Sequence, residues 1–361
     1  MMPKTNLTKH NRQLFLEQFQ EAKIPSTRYQ GSKAKLVEWI WENIKNIEFS
    51  TVLDGFGGTG VVGYYLKQKE KQVFYNDYLK SNYWIGVALI ENNNTRLNEK
   101  DIKKILTKDS NFPYRLFITK TFKDIYYTDE ENKWLDIVVQ NIERIEDKYK
   151  KALGYYALFQ ACLVKRPFNL FHRKNLYLRL ADVKRGFGNK TTWDRPFEEH
   201  FLDFVYEINY LVYDNRKENK AYNLDILEVE GNFDLVYLDP PYISSKGVSV
   251  DYRNFYHFLE GLTDYENWQY KIDYRTANRR LKKEYNPWND KNKIRKKFRE
   301  VFDKFKKSII VVSYRADGIP SIPQIISDLK LFKKRVRMFT FENYKYVLSN
   351  IITSEVLIIG D

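Results

Sequence analysis

The 361-residue sequence holds a single cysteine, Cys162. That excludes a disulfide framework and a cysteine-rich zinc site. Cys162 lies in the apolar run LFQACLV and reads as a small core residue. Histidine is sparse as well: His10, His172, His200 and His257 form no metal-spaced cluster, so no metal is expected. No stretch of about 18 apolar residues occurs, and MMPKTNLTKHNRQ carries no apolar signal core. The expectation is a soluble, cytoplasmic protein with no membrane contact. No internal repeat or low-complexity tract stands out.

Positive charge is in excess. Lys and Arg exceed Asp and Glu by 14, and the pI is near 9.3. Such a surplus bears on partners rather than on fold. It points to nucleic acid, against the plainer reading of a solvated lysine-rich surface. Aromatics make up 16% of the residues. Some can stack on bases, while most are expected in the core.

Hydrophobic patterning divides the chain. Residues 1–27 form a polar N-terminal extension with one short helical stretch. RYQGSKAKLVEWIWENI turns at Gly31 and Ser32, then repeats Leu36, Ile40 and Ile44 at helical spacing. TVLDGFGGTGVVGYYLKQ reads as strand, glycine loop and helix, and QVFYND as a second strand ending on Asp77. Residues 98–222 change texture, with charged helices and a basic run, and read as an inserted lobe. The core resumes over 223–361 with FDLVYLDPPY, KSIIVVSYR and two closing strands, RVRMFTFEN and SEVLIIGD. Together these segments predict an open α/β sheet. In the basic segment before KSIIVVSYR, Ile294, Phe298, Val301, Phe302 and Phe305 share a helix face. Arg295, Lys296, Lys297 and Arg299 then lie largely elsewhere, as a solvated surface or as phosphate contacts.

Two motifs carry chemistry. LDGFGGTG lets backbone turn sharply and approach a ligand, and its spacing is that of neither a triphosphate P-loop nor a full dinucleotide fingerprint. Asp77 follows Gly58 by about 20 residues at a strand end, where an acid can take ribose hydroxyls. In LDPPY, a buried strand stops on Asp239, two prolines stiffen the exit, and Tyr242 offers a flat face. Asp54, Asp77 and Asp239 all end strands, where open α/β sheets bind ligands, so they are expected to converge. Asp239 and the carbonyl of Pro240 can accept hydrogen bonds from an exocyclic amino group of an extruded base.

With RYQGSK, LDGFGGTG, YND, NLDIL, LDPPY and VSYRADGIPS in this order, the sequence resembles the S-adenosylmethionine-dependent DNA adenine-N6 methyltransferases. The likeness is to the Dam-like D12 class, and most closely to FokI-type modification methylases; KRPFNLFHRKNLYLR also fits that subgroup. The resemblance implies a Rossmann-like class I methyltransferase core over 28–97 and 223–361, with a target-recognition domain at 98–222. It implies that Tyr29, Gly31 and Lys33 lie near the methionine end of the cofactor, with Lys33 at its carboxylate. Asp54, Phe56, Gly58 and Gly60 would shape the cofactor loop, Asp77 would hold the ribose and Asp225 the cofactor's adenine amine. Asp239, Pro240, Pro241 and Tyr242 would form the catalytic motif. Lys165, Arg166, Asn169, His172, Arg173 and Lys174 would meet DNA, as would Lys184, Arg185 and Trp193 on the same reasoning. His257 is weighed between lining the DNA side and packing at the surface. The partners implied are double-stranded DNA and a separately acting restriction endonuclease, with the enzyme itself monomeric. RNA adenine-N6 or cytosine-N4 transfer, a non-catalytic DNA-binding module, and a Rossmann oxidoreductase are the competing readings.

Overall fold

A computed structural model of the protein describes residues 24–26, 31–182, 190–245, 247–345 and 352–361. The expected N-terminal helix, Tyr29, Lys184 and Arg185 lie outside these residues. The chain builds a seven-stranded sheet in the order β3-β2-β1-β4-β6-β9-β8. In chain order the strands are β1 (Thr51–Asp54), β2 (Gln72–Asn76), β3 (Lys220–Tyr222), β4 (Leu235–Leu238), β6 (Ile309–Arg315), β8 (Val336–Lys345) and β9 (Ile352–Gly360). A separate two-stranded ribbon joins β5 (Ile243–Ser244) to β7 (Gly318–Ile319). Pairings from β3 through β6 are parallel, whereas β9 runs antiparallel to both β6 and β8. The central strand β4 reads LVYL, with all four residues buried. A parallel strand covered on both faces requires such an uninterrupted apolar run.

Helices α1 (Val37–Ile44), α2 (Val61–Gln68) and α3 (Lys80–Gly86) follow the expected alternation with strands. Between β2 and β3 the chain includes the helices α4 (Asp129–Glu143), α5 (Lys148–Val164) and α6 (Phe197–Leu211). Thr128 starts α4 through a capping box with Glu131, which satisfies two otherwise unpaired amides. In α5, every residue from Ala152 to Val164 is buried. A helix apolar all round must be covered all round, and α5 packs against both α3 and α6. These helices therefore share one continuous hydrophobic core with the sheet. The edge strand β3 falls within the span 98–222, so the sheet resumes at Lys220 rather than at residue 223. Cys162 is buried in α5, as expected of a core thiol.

The basic segment forms α7 (Ile294–Lys304), which buries Ile294, Phe298, Val301 and Phe302. Arg295 and Arg299 both bind Asp328 of α8 (Ile322–Leu329), at 2.8 and 2.7 Å. Lys297 pairs with Glu300 at 2.7 Å. The two arginines tie α7 to α8, while the Lys297 pair stays within α7.

Candidate active site

The glycine loop leaves β1 at Asp54 and enters α2 after Gly60. Gly58 and Gly60 adopt φ of +52° and +73°, a region costly for residues with a Cβ. Tyr75, at the end of β2, explains two further glycines. A Cβ on Gly57 would lie 2.0 Å from its ring, and one on Gly86 would lie 2.3 Å from the same ring. The ring is thus clasped between loop and helix, and its single hydroxyl proton is shared between the carbonyls of Gly58 (2.7 Å) and Asn82 (3.0 Å). Asp77 completes the clasp: its two oxygens accept from the amides of Gly58 and Leu79, each at 2.8 Å. Asn76 bonds Gly55 and Leu224, joining the loop to the segment that carries Asp225.

Asp239 leaves the adjacent strand β4 at the same sheet edge. Its Oδ1 accepts from Lys33 Nζ at 2.8 Å. Lys33 also lies 3.3 Å from Glu355 of β9, which accepts from Ser313 Oγ of β6 at 2.6 Å. Lys33 and Glu355 are buried. Two carboxylates thus share one buried ammonium, Glu355 from within the core and Asp239 from the cavity wall. Burial pushes the Asp239 carboxyl up to about 6; Lys33 opposes that shift and Glu355 reinforces it. Asp54 accepts from the Gly63 amide at 3.0 Å, and burial pushes it up to about 8. Burial also pushes Asp77 up to about 6, against the Leu79 and Gly58 amides.

One cavity unites these groups. Gly31, Lys33, Asp54, Phe56 and Gly58 line it, together with Asp77, Asp225, Asp239 and Pro241. The convergence expected of the strand-end acids is therefore present. Gly60 and Pro240 do not line the cavity. Gly60 caps α2 instead, and Asp225 also caps a short turn through the Leu227 amide at 2.9 Å. Lys33, expected at a cofactor carboxylate, is engaged by Asp239 and Glu355. Tyr242, expected as an open platform, is 6% exposed and outside the cavity lining. Arg315 covers a face of its ring at 5.2 Å, and Tyr314 packs edge-on at 6.2 Å. Both come from the VSYRADGIPS stretch, whose β7 pairs with β5 just after Tyr242.

This chain matches the family of D12 class N6 adenine-specific DNA methyltransferases over residues 29–317. The chain belongs to that family. This D12-class chain is 33% identical over 245 residues to the type II methyltransferase M2.HphI of Haemophilus parahaemolyticus, covering 66% of this chain and 71% of that one. It is 25% identical over 320 residues to the modification methylase LlaI of Lactococcus lactis subsp. lactis, covering 84% of this chain and 49% of LlaI. Against the type II methyltransferase M.FokI of Planomicrobium okeanokoites it is 28% identical over 329 residues, covering 84% and 46%. The chain spans about half the length of LlaI and M.FokI. FokI-type likeness is thus not set apart from HphI-type likeness, and the D12 class is the level that stands.

The DNA-contact candidates of this D12-class chain divide. Arg173 and Lys174 are exposed, and Asn169 and His172 are half-buried. Lys165 and Arg166 are 1% exposed and do not reach the surface. Lys165 binds Glu131 at 2.8 Å and the carbonyls of Trp193 and Arg195. Arg166 binds the carbonyls of Leu170 and Arg173 and stacks on Tyr126. A basic run reads the same in sequence whether its cations point out or in, and here the first two are turned inward by Glu131 and by backbone acceptors. Trp193 is buried too. His257 is fully buried against the Tyr126 hydroxyl at 2.8 Å and does not pack at the surface.

Sequence reasoning missed Glu355, Ser313 and the strap 280–289. The strap lines the cavity, and its Trp288 packs edge-on against Phe56 at 4.9 Å. Glu355 did leave a trace, a lone acid at the start of the apolar strand SEVLIIG.

Proposed function

We propose that this chain transfers a methyl group from S-adenosylmethionine to N6 of an adenine extruded from double-stranded DNA. It would do so as a monomeric modification enzyme of a restriction–modification system, beside a separate endonuclease. The observation that carries the reading is the opening of Asp239 into the same cavity as the glycine loop and Asp77. The donor chemistry fits. The cavity offers carboxylates at Asp54, Asp77, Asp225 and Asp239, and the cofactor brings an ammonium, a sulfonium, ribose hydroxyls and an amine. A cation entering beside Asp54 restores the ionised carboxylate that burial disfavours. Asp54, Phe56 and Gly58 would hold the cofactor's methionine side, Asp77 its ribose, and Asp225 its adenine. When bound, S-adenosylmethionine supplies an electrophilic methyl group.

An adenine amine is a weak nucleophile because its lone pair is delocalised into the ring. Asp239 and, once the 240–242 turn shifts to bring it to the cavity, the Pro240 carbonyl would accept its two hydrogens and favour a more tetrahedral nitrogen with a localised lone pair. Alignment and electrostatics then supply the rate, without a covalent enzyme intermediate. Buried in α5, Cys162 has no part in this chemistry. Tyr242 would stack on the base after its Arg315 cover moves. The helical region 98–219 would recognise the target, with Asn169, His172, Arg173 and Lys174 on its DNA side.

Mass spectrometry of nucleosides from DNA treated with the protein and S-adenosylmethionine tests the proposal. N6-methyladenine is expected, and Asp239→Ala should abolish it while cofactor binding largely survives. N4-methylcytosine, methylation of RNA alone, or full activity in Asp239→Ala would each refute it. Failure to bind S-adenosylmethionine in a titration would favour a non-catalytic DNA-binding module.

A further inference from the structure

A second hollow, distinct in lining from the cavity that holds Asp239, lies where segments 120–125, 174 and 275–279 meet. Three separated chain segments supply its basic lining: Lys120 and Lys123, then Lys174, then Arg275 and Arg279. Asp124 is the one carboxylate among the lining residues. Elsewhere many cations are spent on partners: Arg295 and Arg299 on Asp328, Lys148 on Glu91, Lys150 on Asp101. In the hollow, Arg275 pairs with Asp273, while Lys120, Lys123 and Lys174 make no ion pair with the described residues. A concave surface lined by five cations and one carboxylate presents net positive charge to an anionic ligand.

The hollow is also held in shape. The amides of Asn175 and Leu176 donate to the Ile125 carbonyl at 3.3 and 3.1 Å, fixing Lys174 beside the 120–125 segment. Beneath, the Tyr126 hydroxyl meets the carbonyls of Phe171 and Asn278 and the ring of His257. The Asn278 side chain donates to the Phe171 carbonyl at 3.1 Å. This buried network joins all three segments, so the backbone that displays the cations is held in one arrangement. It also gives the buried His257 a role. Finally, Arg279 lines the hollow and its chain neighbour Arg280 lines the cavity, so one segment serves both features.

We propose that this hollow holds the sugar–phosphate backbone of the duplex beside the extruded base. Its cations are lysines and arginines without a planar apolar wall, which suits phosphate contact rather than base reading. The proposal rests on the reading that the protein acts on DNA.

The test is salt-dependent binding of two short fluorescent duplexes of unlike sequence to the parent protein and to the K123Q/K174Q double variant. Both lysines are exposed, so the variant is expected to keep its melting temperature and its S-adenosylmethionine affinity. Its DNA affinity should fall about tenfold or more for both duplexes, with the slope of log affinity against log salt shallower by about one for each lysine removed. A slope equal to the parent's, with or without a change in affinity, overturns the proposal. If the parent itself fails to bind either duplex, the DNA reading fails instead, and the two failures are told apart.

Discussion

Lys33 and Asp239 stand 206 residues apart in the chain, and their side chains meet at 2.8 Å. Glu355 shares the same ammonium from the other side, at 3.3 Å. Lys33 therefore neutralises Asp239 only in part. Tyr237, Tyr242 and Tyr252 lie within electrostatic reach of Asp239, and the Asp239 charge in turn helps hold the Asp54 carboxyl up. The proton balance at Asp239 is set by this whole group.

The rate of methyl transfer should fall as pH drops through about 6, because protonated Asp239 is a poorer acceptor. Glu355→Gln removes a like charge and should move that acid limb to lower pH. Lys33→Met removes the opposite charge and should move it to higher pH. Single-turnover pH profiles would show the opposed shifts. Superimposable profiles, or shifts of the same sign, would separate Glu355 from Asp239.

Tyr75 is gripped by two glycines, and either can be tested. Gly57→Ala and Gly86→Ala should each destabilise by about 1–3 kcal/mol, the usual cost of overpacking. Only Gly57 belongs to the loop that lines the cavity. Cofactor affinity in a titration should therefore drop in Gly57→Ala and change little in Gly86→Ala, with thermal melts reporting the shared loss.

His257 is held neutral by burial, which lowers it to about 3 from an ordinary 6.5. The unfolded chain then binds more protons between those values, so stability is full above about pH 6.5 and is lost as pH falls toward 3. Between pH 7 and pH 5 the loss should be about 2 kcal/mol from this residue alone. Denaturant melts of the parent and His257→Gln should differ in their pH slope, the variant's being flatter. Equal slopes would mean that His257 titrates normally.

Arg295 and Arg299 are partly exposed and committed to Asp328. Replacing either by Gln should cost no more than about 1 kcal/mol. The salt slope of DNA binding should be unchanged, in contrast to the lysines of the basic hollow. A shallower slope in Arg299→Gln would return α7 to the DNA interface.

The sheet was legible because its strands are continuous apolar runs and its helices repeat at helical spacing. DLVYLDPPY and LDGFGGTG could be placed at strand ends because carboxylates, glycines and prolines interrupt those runs. That reasoning located Asp54, Asp77 and Asp239 in one cavity. It misplaced the sheet's resumption by three residues, since β3 is a three-residue edge strand with little pattern to show. It treated KRPFNLFHRK as one surface, because charge in a sequence carries no direction.

By itself, the sequence determined the α/β class, the strand-end acids and the family, since these depend on local periodicity and on residue types with few structural uses. Only the tertiary structure decided which charges face a ligand and which face each other. Lys33 meeting Asp239, Glu355 meeting Lys33, and Glu131 drawing Lys165 inward are pairings between distant segments. Electrostatic attraction and burial act through space, so such pairings exist only once the chain has packed.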